Sequence, residues 1–122
     1  MTPISDLLTI PISRDELVDR IVEHSRLADW NGNWAIQYNP MTGQHDWCWI
    51  GRFPPMGTNP EREPRPGWKV LILPRINANK LTVDARKDRI EDPIWRASAE
   101  GTLDGWLEAG EPLRAGVKLK FI

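Results

Sequence analysis

With 122 residues, 40% of them hydrophobic, and a formal charge of −1 from 16 basic and 17 acidic side chains, the chain is long enough for one core without covalent staples and is expected to form a single domain over residues 1–122. So balanced a charge supplies no bulk field toward nucleic acid or a membrane surface. The single cysteine, Cys48, excludes an internal disulfide, and two histidines without a cysteine cluster leave neither a structural metal site nor a cofactor to expect.

The first residues, M-T-P-I-S-D-L-L-T-I-P-I-S, lack the basic start of a signal peptide, and no apolar run approaches the ~20 residues needed to span a bilayer, so a cytoplasmic location is expected. Residues 1–12 read as extended, with Pro3 and Pro11 bracketing Leu7, Leu8 and Ile10; a single helical turn after Pro3 is the alternative. Residues 13–28 predict an amphipathic helix. Ser13-Arg14-Asp15-Glu16 is a capping box, with the Ser13 hydroxyl taking the Glu16 N–H and the Glu16 side chain reaching back. Leu17, Val18, Ile21, Val22, Ser25 and Ala28 form one stripe at helical spacing, which should pack across one face of a sheet. His24 reads as a solvated or edge histidine. Asn31-Gly32 turns the chain into a strand.

Residues 30–53 hold four of the seven tryptophans and predict a β-hairpin. Trp34, Ile36 and Tyr38 share one face of the first strand; Trp47, Trp49, Gly51 and Phe53 share one face of the second. With Pro40–Gly43 as the loop, Asn39 faces Gln44, Tyr38 faces His45, Ile36 faces Trp47 and Trp34 faces Trp49. A slip of one residue would split the apolar set between two faces. Two uses of that face compete, a core or an exposed aromatic platform; the core is the expected one, and Trp30 is the better candidate for exposure.

Residues 54–67 contain five prolines and two glycines and predict a long exposed loop with polyproline character, acting either as a connector or as a contact surface. Trp68–Leu73 is a continuous apolar run, as in a strand buried on both faces, and should pair through a turn at residues 77–80 with Leu81–Arg86. Pro74 puts its far end at an edge or bulge. In residues 88–115, Asp92-Pro93 starts a short helix ending near Gly101, and Thr102 starts a second ending near Gly110; short strands or coil are the alternatives. Residues 117–121, V-K-L-K-F, make a terminal strand with its lysines outward.

The fold class that follows is α+β: a mainly antiparallel sheet of about five strands with the N-terminal helix packed on one face. No phosphate loop, dinucleotide loop, metalloprotease or nucleophile-elbow motif is present. His45 and Cys48 point to opposite sides of one strand and cannot pair, so Cys48 is expected to be structurally inert and the chain leans away from being an enzyme. Between Arg62 and Arg89 eight bases face three acids, while the first thirty residues carry six acids and three bases.

Three functions remain open. The first is a non-enzymatic interaction domain of inhibitor, immunity or adaptor type that binds a protein partner, using Trp30, Arg62, Arg65 and Trp68, because Trp and Arg anchor interfaces. The second is a nucleic-acid-binding hairpin using Lys69, Arg75, Lys80, Arg86 and Lys87. The third is a small enzyme or ligand pocket walled by tryptophans, with polar groups drawn from His45, Asp46, Arg75 and Asp84.

Overall fold

The computed structural model describes residues 7–26, 32–52, 54, 60–76 and 92–122. Their elements run β1 (Leu8–Ile12), α1 (Arg14–Arg26), β2 (Gly32–Tyr38), β3 (His45–Gly51), β4 (Lys69–Ile72), α2 (Asp92–Glu108), α3 (Glu111–Arg114) and β5 (Val117–Phe121). Trp30, Ala28, Phe53 and the segment 77–91, with its expected turn and strand, lie outside the described residues.

The hairpin forms in the expected register: Trp34 opposes Trp49, Ile36 opposes Trp47 and Tyr38 opposes His45. Its loop closes where Asn39 accepts the Gly43 N–H at 2.9 Å and donates its own to Gln44 at 2.8 Å. The Asn39 side chain accepts the Met41 N–H, and Gly43 supplies the positive φ that the loop requires. Trp34 and Trp49 are buried, with ring centroids 5.5 Å apart at nearly a right angle, so this aromatic face is core.

α1 starts as its sequence dictates. The Ser13 hydroxyl accepts the Glu16 N–H at 3.3 Å, and Leu17, Val18, Ile21 and Ser25 are buried. The Glu16 carboxylate does not reach back to the cap; it accepts the indole N–H of half-buried Trp47 at 3.2 Å. Arg20 closes the remaining edge of the aromatic face, its guanidinium 4.7 Å from the Trp34 ring centre and 5.3 Å from that of Trp47.

The expected sheet of about five strands is corrected to two sheets. β3, β2 and β4 form an antiparallel sheet in that order, and β1 pairs with β5 in a separate parallel pair. Parallel pairing needs a long crossover, and here the partners are separated by more than a hundred residues, so no local pattern announces it. The run at Trp68–Leu73 is not buried on both faces. Leu71 and Leu73 enter the core beside Ile36 and Trp34, while Ile72 on the other face is 47% exposed.

The helix count is corrected as well. The two short helices expected in 88–115 are one continuous helix, α2, running through Gly101 and Gly105, followed by the single turn α3. Each glycine costs about 1 kcal/mol in a helix interior. Burial of Trp95, Ala99 and Leu103, spaced four apart along one face, outweighs that cost. This face joins α1, β2, Ile10 and Val117 in one core cluster. Among the described residues no helix is long and apolar enough to cross a membrane.

Candidate functional site

The outer face of the three-stranded sheet, opposite the tryptophans, carries Ala35 and Gln37 on β2, Asp46 and Cys48 on β3, and Val70 and Ile72 on β4. Ala35, Gln37 and Cys48 are fully buried, and the segment that begins at residue 60 lies over this face at Gln37 and Cys48. At its return, Glu61 forms a parallel bridge to Cys48, and its carbonyl accepts the Trp49 N–H at 2.8 Å.

Gln37 pins the returning segment. Its Nε2 donates to Glu61 Oε2 at 2.9 Å and its Oε1 accepts the Arg65 N–H at 3.0 Å. A buried amide must satisfy both ends, and this pairing does so with one side chain. The Arg65 guanidinium then reaches Glu61 at 3.3 Å and Asp46 at 3.1 Å. These ion pairs are exposed and screened by solvent, so the buried Gln37 bonds carry more of the attachment. The bond from Gln37, reinforced by Arg65, holds the Glu61 carboxyl below its usual range.

Arg65-Pro66-Gly67-Trp68 is a type II turn. Pro66 presets φ at its second position, Gly67 has φ +82° at its third, and Trp68 N–H donates to Arg65 O at 2.9 Å. The turn sets the Arg65 guanidinium 4.5 Å from the Trp68 ring centre. The structure therefore brings together two of the four expected contact residues, Arg65 and Trp68. Arg62 lies on the same segment with its side chain exposed. Arg65 is occupied by two carboxylates and a ring, which makes it a positioning residue for the half-buried Trp68.

Cys48 and His24 are enclosed, whereas His45 is half-buried opposite Tyr38 at the start of β3 and Asp46 and Glu61 are exposed. Burial, with Glu61 and Asp46 nearby, pushes the Cys48 thiol up to about 11. Cys48 lies neither toward solvent nor beneath a helix but under the returning chain. His24, expected at an edge, is fully buried; it accepts the Trp34 N–H at Nδ1 and meets Pro74 O at 3.0 Å through Nε2. The helical stripe at Leu17, Ile21 and His24 was the available signal, since residue 24 extends it at helical spacing. Gln37 was missed because its strand reads as one-sided, and nothing local indicates that a distant loop covers its second face.

The polar groups suggested for a pocket do not converge. Asp46 sits near the Tyr38 end of β2 and is taken by Arg65, whereas the Arg75 guanidinium donates to the carbonyl of Gly32 at the other end. Six residue steps along a strand separate those ends by roughly 20 Å. Asp84 lies outside the described residues. Of the proposed nucleic-acid set, Lys69 is exposed at the Tyr38 end and Arg75 is at the Gly32 end; Lys80, Arg86 and Lys87 lie outside the described residues. Among the described residues no group of histidine, cysteine or acidic side chains is placed to hold a metal ion. In comparisons with known proteins no family model matches the chain, and neither a curated protein nor a solved structure matches it.

Proposed function

We propose that the chain is a cytoplasmic, non-enzymatic interaction domain that binds a protein partner through the 60–68 segment on the outer face of the three-stranded sheet. The observation that carries this reading is the Arg65–Trp68 turn. An arginine and a tryptophan, the side-chain types that anchor interfaces, are preorganised by Gln37 and a type II turn beside an exposed arginine. The half-exposed Ile72 and the half-buried Val70 and Ile50 extend the same face with apolar surface. The enclosure of Cys48 and His24 supports a binding role over a catalytic one.

The test compares capture of partners by the wild-type chain with capture by Trp68→Ala and Arg62→Ala. The expected result is a stoichiometric protein partner held by the wild type and bound at least about tenfold more weakly by Trp68→Ala, with unchanged circular dichroism. A partner retained equally by both variants would remove this face from the interface.

A further inference from the structure

The parallel pair β1–β5 is one-sided. Ile10, Ile12 and Val117 are buried on its inner face, with Leu8 and Leu119 partly so, while Thr9, Pro11, Lys118 and Lys120 are exposed on the outer face. Leu8 N–H donates to Gly116 O at 3.0 Å and Ile122 N–H donates to Ile12 O at 3.1 Å. With that alternation, the backbone groups of Thr9 and Pro11 point away from the seam on one side, and those of Leu119 and Phe121 point away on the other. Among the described residues neither outer edge of the pair is joined by a further strand, and the two edges differ. Pro11 has no N–H, so the β1 edge cannot support a continuous ladder. The β5 edge presents both donors and acceptors, and among the described residues no strand pairs with it. Phe121, 41% exposed, and Ile122, 79% exposed, supply apolar surface beside it.

We propose that the open edge of β5 takes an extended segment of another protein as an added strand, one in which acidic side chains alternate with apolar ones. Charge selects this occupant. β1 and β5 carry Lys118 and Lys120 and no acid. Side chains directly opposite on neighbouring strands interact, and like charges there are destabilising. In antiparallel pairing of two copies about Leu119, Lys118 of each would face Lys120 of the other. Every register that keeps the apolar faces together likewise sets lysines against one another or beyond the strand, because a slip that separates them turns the apolar set to the wrong face. The same two lysines that repel a second copy attract carboxylates at alternate positions of a guest strand, while Leu119 and Phe121 meet its apolar side chains. Strand addition of this kind draws its affinity from main-chain bonds and its selectivity from alternate side chains. This edge is distinct from the Arg62–Trp68 face, and the proposal does not depend on it.

The probe is a short dye-labelled peptide alternating Glu with Val, compared with one alternating Lys with Val, by fluorescence anisotropy at low ionic strength. The acidic peptide binds; the basic one binds at least about tenfold more weakly, and Lys118→Glu/Lys120→Glu reverses the preference by a similar factor. N-methylation of alternate peptide residues, or Leu119→Pro in the protein, abolishes binding by removing main-chain donors at this edge. Lys118→Glu alone sets a carboxylate opposite Lys120 of a second copy, so this variant self-associates in sedimentation equilibrium where the wild type does not. Equal binding of the two peptides, no binding of the acidic one, or wild-type self-association that Leu119→Pro abolishes would overturn the proposal; in the last case the occupant is a second copy.

Discussion

The backbone N–H of Trp34 donates to Nδ1 of His24 at 3.3 Å, which fixes the neutral tautomer and leaves Nε2–H to donate to Pro74 O at 3.0 Å. One ring thus ties α1 to β2 and to the chain after β4. Burial, assisted by the charge of Arg75, pulls the imidazole down to about 4 from its usual 6.5. Above pH 6.5 both folded and unfolded chains hold a neutral histidine, and it contributes no pH dependence. Between 6.5 and about 4 only the unfolded chain takes up the proton, so the contribution of His24 to stability falls by about 3 kcal/mol across that window and is constant below it. Glu23, raised by burial against the opposing charge of Arg20, protonates first in the folded chain and offsets part of the loss. Urea titrations at pH 7 and near pH 4.5 should show the wild type losing on the order of 2 kcal/mol and His24→Gln losing little. An equal loss in both proteins would assign the acid sensitivity to other groups.

Buried Gln37 bonds the returning segment at two places, Glu61 and Arg65. Replacing it with Leu keeps the volume and removes both bonds, leaving the Arg65 N–H unpaired. The expected cost is about 1–3 kcal/mol in global stability. The larger local effect is release of the segment, read as faster tryptic cleavage after Arg62; the Arg65–Pro66 bond is not a tryptic site. Wild-type cleavage rates in the Leu variant would show that the exposed ion pairs of Arg65 suffice to hold it.

The hairpin was legible because one face is buried: Trp34, Ile36, Trp47 and Trp49 tolerate only one register, and the sequence contains that constraint within twenty residues. The start of α1 was legible for a similar reason, since Ser13 and Glu16 signal it locally. What lay beyond reach is non-local. β5 was recognisable as a strand, but its partner β1 lies at the other end of the chain. Gly101 and the potential cap Thr102 suggested a break, although the spacing of Trp95, Ala99 and Leu103 already runs across it; tertiary burial prevailed over local propensity. At the candidate surface, residue types pointed to Arg65 and Trp68, and the Arg-Pro-Gly-Trp turn was readable in retrospect. The role of Gln37 was not, because it depends on a contact between residues 24 apart or more.

Gly32 opens β2 directly against the Trp49 indole. A Cβ added there would lie 2.4 Å from Trp49 Nε1 and 2.6 Å from the adjacent ring carbon. The ring is fully buried, and its other neighbours include Trp34 and His24, so it has little room to retreat. Gly32→Ala should therefore destabilise by about 1–3 kcal/mol through overpacking, although alanine is otherwise easier to order than glycine. Thermal unfolding measures the loss, and a shift of the Trp49 indole N–H resonance would locate it there. An unchanged or raised Tm would mean that the indole can move aside.

Cys48 gives a direct reading of whether the outer face is closed. The thiol is buried beneath the return at Glu61, and its raised pKa reflects that burial first and the nearby carboxylates second. A thiol held near 11 presents a thiolate fraction at pH 8 roughly a hundredfold below that of a free cysteine, before access is considered. Alkylation of the folded chain should accordingly be at least about a hundredfold slower than in urea. In Gln37→Leu the rate should rise toward the unfolded value while the chain remains globally folded, because opening the 60–65 segment exposes Cys48 while the tryptophan face stays packed. Rapid alkylation of the wild type would show that the return over β3 does not shield this face, and the preorganised Arg65–Trp68 turn would lose its anchor with it.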